Sequence, residues 1–257
     1  MPDPAAAEIF ADYADVYDAI YAAKDYRREA GFVLDRLRGP EGALPSTLLE
    51  IGSGTGRHMQ EFAREGVQVT GLDRSRAMTA IARQRIASVA GTVPCAVADG
   101  DVRDFHLGQR FAAATALFHV TSYLTTTADL LAGFASIRRH LNLGVPFFFD
   151  FWHLPGVKLD PPSRRDRTFA TPSGTFIRIM DPTWREPVVT LEIGIDGELA
   201  GRPVRIREQH QLRAWMPAEL EAALSASGFV VDRWGAALDP QPLSERDWLG
   251  WALARAC

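Results

Sequence analysis

The stretch LLEIGSGTGRH, residues 48–58, decides how the rest of the chain is read. Three glycines, Gly52, Gly54 and Gly56, follow an apolar run that only Glu50 interrupts. Glycine has no Cβ and adopts positive φ at little cost, so such a cluster marks backbone that must approach something closely. A dinucleotide fingerprint, G-x-G-x-x-G, needs a third glycine for helix–strand packing. Counted from Gly52, that place is Arg57. The spacing is G-x-G-x-G instead, which argues against a nicotinamide dinucleotide.

Outward from this loop, strand-like and helix-like segments alternate. TLLEIG is a buried strand, followed by a helix near His58–Glu65. VQVTGLD is the next strand, and SRAMTAIARQRIASV the next helix, with Ser75 as its N-cap. VPCAVADGD, FAAATALFHV and PFFFDFW supply three more strands, the last preceded by a helix from about Thr127 to His140. The pattern predicts an α/β fold with a parallel sheet and helices on both faces. Ligands of such sheets bind outside the carboxyl ends of the strands.

Upstream, residues 5–37 read as two helices. Ile9, Phe10, Tyr13, Tyr17, Ile20 and Tyr21 recur at helical spacing in the first; Phe32, Val33, Leu34 and Leu37 mark the second. After Trp152, the proline-rich, basic HLPGVKLDPPSRRDRTFATPSG reads as a loop. TFIRIMDPTW, PVVTLEIGID and RPVRIREQHQLRAW then predict three antiparallel strands over one end of the core. MPAELEAALSASG is a final helix, and FVVDRW and DWLGWALARA a closing antiparallel pair. The expected divisions are 1–40, a helical lid; 41–152, a ligand-binding core; 153–213, a loop and antiparallel β cap; and 214–257, the closing helix and strands.

A chain of 257 residues suits one large domain or a core with a cap. The net charge of −4 argues against nucleic acid as a partner. Two cysteines, Cys95 and Cys257, are too few for a disulfide framework, which favours the cytoplasm. MPDPAAAEIF lacks the basic and apolar regions of a signal peptide, and no apolar run is long enough to cross a bilayer, so no membrane association is expected. Neither histidines nor cysteines show metal-ligand spacing, so no metal is expected.

Acids close two of the strands. Asp73, in GLDRS, can accept from both hydroxyls of a ribose, because an ionised carboxylate offers two oxygens. ADGDVRDF places Asp101 at the end of the third strand; a solvated turn of Asp99, Asp101 and Asp104 is the plain alternative. A G-x-G-x-G loop with Glu50 before it and these acids after it resembles the core of S-adenosylmethionine (SAM) methyltransferases. That resemblance implies a loop against the methionine part of SAM, Glu50 at its base as a hydrogen-bond acceptor, and Asp101 near the adenine amino group.

Four segments narrow the likeness: DVYDAIYAAKDYRREA, LLEIGSGTGRH, GDVRDFHLGQRF and ALFHVTSYLTT. Together they resemble the class I amino-sugar N-methyltransferases, which include enzymes that dimethylate nucleotide-linked amino sugars and the lincosamide-antibiotic N-methyltransferases. The likeness covers residues 10 to about 152 well and the cap more loosely. The family's Leu-x-Pro-Gly-Gly turn before the fifth strand is LNLGVP here. The resemblance implies a Rossmann-like core with a seven-stranded, mostly parallel sheet plus a small antiparallel β cap. It assigns Gly52, Gly54, Asp73, Met78, Asp101, Val102 and Leu117 to SAM. Tyr13 and Tyr21 become an aromatic lid that touches both SAM and the reacting atoms, with Phe118 walling the methyl pocket.

Tyr17, His119 and Asp150 are the expected acceptor contacts. Tyr17 shares a helix face with the lid tyrosines. His119 is a candidate base, although an amine nucleophile needs only to be neutral. Asp150, which opens the motif after the fifth strand, is expected to hold an ammonium or a hydroxyl. The cap arginines, Arg164, Arg165, Arg167, Arg178, Arg205, Arg207 and Arg213, either meet a nucleotide diphosphate or form a solvated face. The expected partner is a small-molecule amine; whether the chain forms a homo-oligomer is left open. Two other readings compete: an O-methyltransferase, which would promote His119 or Asp150 to a base, and a SAM-binding module without activity.

Overall fold

A computed structural model describes residue 10 and residues 13–89 and 93–257 of the chain. Of the residues cited above for the first helix, Ile9 lies outside the described part. The helix itself, α1, is Ala14–Ile20, with Tyr13 just before it and Tyr21 just after. Helix α2 is Tyr26–Leu37, capped by Asp25, whose side chain accepts the Arg28 N–H.

The core is a seven-stranded sheet. Its first five strands are β1 Thr47–Ile51, β2 Gln68–Asp73, β3 Ala96–Asp99, β4 Ala113–Ala116 and β5 Pro146–Trp152. Helices α3 Arg57–Arg64, α4 Arg76–Ala87 and α5 Thr127–Arg139 connect them, and α4 is capped by Ser75 as predicted. After the cap come α7 Pro217–Ala226, β10 Phe229–Ala236 and β11 Leu249–Ala256. The strand order is β10-β11-β5-β4-β1-β2-β3, and only β10 and β11 run antiparallel to their neighbours.

The apolar runs fill both faces of this sheet, as a covered parallel sheet requires. On β5, Phe147, Phe149 and Phe151 pack with Phe134 of α5 and Leu220 and Leu224 of α7. Phe148, one step out of phase, packs with Val33 and Leu37 of α2 and with Met59 and Phe62 of α3. Strand alternation therefore sends Asp150 to the Phe148 side, and Glu50 to the side of its neighbour-but-one Leu48.

The segment expected to be a loop after Trp152 is more ordered than its prolines suggest. It holds helix α6, Leu154–Leu159, and strand β6, Arg165–Thr171. Pro155 falls in the first helical turn, where proline is tolerated. Strand β6 is a charged edge strand, which hides its alternation in the sequence. With β7 Gly174–Arg185, β8 Val188–Leu199 and β9 Arg202–Arg213 it forms a four-stranded antiparallel sheet. The inner face, with Phe176, Ile195 and Ile206, packs on Tyr13, Val16 and Ile20 of the lid segment.

Gly52 is the tightest point between core elements at the site. It has a φ of 65°, and a Cβ there would overlap Cγ2 of Val120. Gly52→Ala should therefore destabilise the fold. Overpacking of this kind costs about 1–3 kcal/mol, and each kcal/mol lowers Tm by roughly 2–4 °C in a chain of this size. Thermal melting of the variant measures it.

Candidate active site

The three glycines of the opening stretch do different work. The N–H groups of Gly52 and Ser53 both donate to the Leu72 carbonyl, at 2.7 and 3.1 Å, which stitches the loop to the end of β2. Gly56 has a φ of 76° and starts α3; a Cβ there would lie 3.1 Å from Cβ of Ala82 on α4. Gly52 and Gly56 are thus small for reasons internal to the protein. Gly54, with a φ of 55°, would place a Cβ within 4 Å of nothing. It faces a cavity of about 630 Å³, so the room above it is room for a ligand.

Asp73 stands at one end of this cavity. Its Oδ2 accepts the Gly54 N–H at 2.8 Å and its Oδ1 the Ser75 N–H at 2.9 Å. The Arg74 backbone N–H adds a third bond, and the carboxylate's roughly four acceptor sites leave room for a ligand hydroxyl. Burial raises the Asp73 carboxyl above its ordinary range, against these backbone donors. Asp101 lies two residues beyond the end of β3, not at its end as predicted. The last strand residue is Asp99, which Thr79 and Arg83 occupy. The Gly100 N–H donates to the Asp73 carbonyl at 2.9 Å, which brings Asp101 beside β2. Arg103 grips Asp101 through Nε at 2.9 Å and Nη2 at 2.7 Å, and Asp129 through Nη1 at 3.0 Å. Burial works against the Asp101 charge, but Arg103 holds the carboxyl below its usual range. Asp101, Val102, Met78 and Leu117 all line the cavity.

Aromatic rings wall the middle. The Tyr17 and Tyr21 ring centroids are 4.7 Å apart, and Tyr21 meets Phe118 edge-on at 5.0 Å. Burial pushes the Tyr13 and Tyr17 phenols well above their ordinary range, so both stay protonated. From β7, Arg178 Nη1 reaches the hydroxyls of both Tyr13 and Tyr21 at 3.3 Å. Arg178 is therefore committed to the lid. Three other cap arginines are also engaged: Arg164 with Asp166, Arg207 with Asp196 and Arg213 with Glu219. Of the seven, Arg165 and Arg178 line the cavity.

Phe118 and His119 both have positive φ, 65° and 68°. For residues with a Cβ this costs about 1–2 kcal/mol each, so something must hold the turn. Asp150 does so: Oδ2 accepts the Phe118 N–H at 2.9 Å and Oδ1 the His119 N–H at 2.6 Å. The expectation that Asp150 contacts an acceptor is corrected accordingly. It is buried, does not line the cavity, and has both oxygens engaged by backbone. His119 does line the cavity. Burial lowers its pKa, so the imidazole is neutral; Nδ1 lies 3.7 Å from Asp150 with no hydrogen-bond partner among the described residues.

Glu50 does not line the cavity either. Strand alternation turns it toward α3, where Oε1 is 3.8 Å from His58 Nδ1 and Oε2 has no partner among the described residues. Burial raises its carboxyl well above the ordinary range. Tyr123 and His210 line the cavity without having been assigned a role from sequence. One signal was available: Ile206, Glu208, His210 and Leu212 alternate along β9, so two polar residues share its apolar face.

Comparison with known proteins agrees with this geometry. Residues 48–144 match the family model described as a methyltransferase domain. The chain is 33% identical over 232 residues to the dTDP-3-amino-3,4,6-trideoxy-alpha-D-glucopyranose N,N-dimethyltransferase of Streptomyces venezuelae, covering 86% of this chain and 91% of that one. Among solved structures, Streptomyces venezuelae DesVI superposes with a TM-score of 0.77 at 28% identity, over 95% of this chain and 98% of that one. SAM-bound CalS10, an amino pentose methyltransferase from Micromonospora echinaspora involved in calicheamicin biosynthesis, gives 0.72 at 27% identity, over 94% and 97%.

Asp150→Asn tests the brace. It keeps the shape but sets an amide N–H₂ against one of the two backbone donors. An unpaired buried donor costs about 1–3 kcal/mol, so Tm should fall, and turnover should fall more than SAM affinity. Melting, calorimetry and initial rates report the three quantities.

Proposed function

The chain belongs to the family of SAM-dependent amino-sugar N-methyltransferases, and from that premise we propose that it methylates the amine nitrogen of a small molecule carrying an amino sugar, in the biosynthesis of an antibiotic or a similar specialised metabolite. The observation that carries this reading is the 33% identity to a dTDP-amino-sugar N,N-dimethyltransferase across 91% of that protein. The open space over Gly54, the acceptor site left on Asp73 and the size of the cavity fit SAM.

SAM brings an electrophilic methyl group on a sulfonium cation. Asp73 binds the ribose hydroxyls. Asp101 and Val102 bind the adenine, with Met78 beside it. Gly52, Gly54 and Leu117 face the methionine part. Glu50 supports the loop from beneath, where burial raises its carboxyl. Tyr13, Tyr21 and Phe118 surround the sulfonium, and attraction between a cation and such rings is worth roughly 0.5–2 kcal/mol. Tyr17 and His119 face the acceptor.

A neutral amine already has the lone pair it needs. Alignment therefore supplies most of the rate, and good orientation is worth about 10⁵–10⁸ M in effective molarity. The His119–Asp150 pair is poorly built as a base, since both Asp150 oxygens are engaged by backbone N–H groups. This favours an amine over a hydroxyl acceptor at that position. For a nucleotide-linked acceptor, Arg165 meets the phosphates: it lines the cavity and has no ion-pair partner among the described residues. A cytoplasmic location belongs to the same reading. No described helix is long and apolar enough to cross a membrane.

Asp73→Ala should weaken SAM binding at least tenfold in a folded protein. Hydrogen bonds to a charged acceptor contribute about 1.5–3 kcal/mol, and calorimetry gives the loss directly. Unchanged affinity would remove Asp73 from the site.

The acceptor atom is tested by pairing amino sugars with their hydroxyl analogues and locating the new methyl group by mass and NMR. The amines should be methylated, and His119→Asn should keep much of that activity. Methylation of the hydroxyl analogues alone, with His119→Asn losing the roughly 10²–10⁴-fold that a general base supplies, would sink the N-methyltransferase reading.

A further inference from the structure

The cavity holds a second chain of titratable groups that the steps above leave unused. Tyr123 ends the 3-10 helix Val120–Tyr123 and lines the cavity. Its hydroxyl is 3.0 Å from Nδ1 of His210, which is only 1% exposed. His210 Nε2 is 2.9 Å from Oε2 of Glu208. Glu208 also accepts the Phe10 N–H at 3.1 Å and the Tyr13 N–H at 3.3 Å.

With the His210 ring neutral, these partners fix the direction of every hydrogen bond. A carboxylate can only accept, so His210 carries its proton on Nε2. In the neutral ring Nδ1 is then a lone pair, and Tyr123 must donate to it. The phenol proton points inward, which leaves the Tyr123 oxygen as an acceptor on the cavity side. The Phe10 ring joins this group to the aromatic wall, with centroids 6.0 Å from Tyr123, 4.8 Å from His210 and 6.1 Å from Tyr17. Around the pair stand Glu208 from the same strand, Tyr13 from the lid segment, and Tyr21 and Asp73 within electrostatic reach of Tyr123.

We propose that Tyr123, His210 and Glu208 form a proton relay that takes the proton from the ammonium form of the acceptor. The inference rests on the N-methyltransferase reading. The ammonium N–H proton passes to the Tyr123 oxygen as the Tyr123 proton passes to His210 Nδ1. The amine nitrogen keeps the electron pair of the broken N–H bond. One cation becomes another, and the Glu208 carboxylate holds the imidazolium. The proton returns through Tyr123 to water once the product leaves. The first methyl transfer yields an ammonium again, so a second transfer would need the same step. Tyr123 touches the acceptor and is the catalytic residue here; His210 and Glu208 act through it.

The test compares Tyr123→Phe and His210→Gln with wild type, using dTDP-3-amino-3,4,6-trideoxyglucose as acceptor across pH. Glutamine can still donate to Glu208 but cannot take up the proton. At pH 7 both variants should lose kcat/KM toward the roughly 10²–10⁴-fold of general acid–base catalysis. The deficit should close as pH rises through the pKa of the acceptor amine, where solvent deprotonates it. Tm and S-adenosylhomocysteine affinity should stay near wild type. Wild-type rates in both variants, or a deficit equal at every pH, would overturn the relay. If His210→Gln does not fold, Tyr123→Phe, which removes one hydroxyl, decides alone. Long-range ¹H–¹⁵N correlation of the wild-type histidines gives a check that needs no turnover. Nε2–H on His210 supports the relay, and Nδ1–H overturns it. Wild type that methylates no amino sugar overturns the functional reading instead, and the tautomer still decides the direction of the relay.

Discussion

Val120 fills the space that a Cβ on Gly52 would take, and the rest of the site follows from that contact. It lets the loop after β1 and the turn after β4 approach at the carboxyl ends of adjacent strands. The approach demands glycine on one side. On the other side it accompanies two consecutive left-handed residues, Phe118 and His119, held by the buried Asp150 carboxylate. From this point the chain runs into the short helix that presents Tyr123. The glycine loop, the Phe118 ring and the Tyr123 phenol, all lining the cavity, are thus placed by one packing contact and one carboxylate.

The lid depends on partners outside itself. Helix α1 has seven residues, too few to persist alone in water. Its apolar side is covered by the cap sheet, and Glu208 of β9 accepts the Phe10 and Tyr13 N–H groups at its start. Its polar side is tied to the core through Asp18, which receives Thr55 Oγ1 at 2.8 Å, Arg57 Nε at 3.1 Å and Arg85 Nη2. The glycine loop, α3 and α4 therefore all contact the helix that Tyr13 and Tyr21 flank. One carboxylate on each side, Glu208 and Asp18, ties this segment to the cap sheet and to the core.

Local pattern made the sheet legible. Glycine spacing, Asp73 and the apolar runs of β1, β2 and β5 each follow from rules that act within a few residues. The cap strand β6 was missed because its arginines and the preceding prolines mask its alternation, and its order comes from pairing with β7. The resemblance makes Asp150 and Glu50 ligand contacts, but it does not carry the side of the strand on which each lies. Which way they face depends on strand phase, and what they meet depends on a turn 31 and 32 residues away for Asp150 and on α3 for Glu50. Arg178 is further removed still: its bonds to Tyr13 and Tyr21 span the cap and the N-terminal segment, a pairing that no local spacing encodes.

The charges around the aromatic wall have a consequence for the proposed chemistry. Arg178 is bonded to the Tyr13 and Tyr21 hydroxyls, and Lys24 Nζ lies 4.5 Å from the Phe118 ring centroid. His119 is neutral, and the Tyr13 and Tyr17 phenols are protonated, so these groups add no negative charge that would stabilise an ammonium. A nearby cation disfavours a second one and shifts an amine toward its neutral form. The nearby carboxylates are already engaged: Asp150 by the Phe118 and His119 N–H groups, Asp73 by backbone N–H groups, Asp101 by Arg103 and Glu29 by Lys24 and His58, while Glu208 lies behind His210. In the proposed chemistry, an acceptor amine held between Tyr21 and Phe118 is pressed toward the neutral state that attacks a sulfonium, while the proton it sheds passes through Tyr123 and His210 toward Glu208.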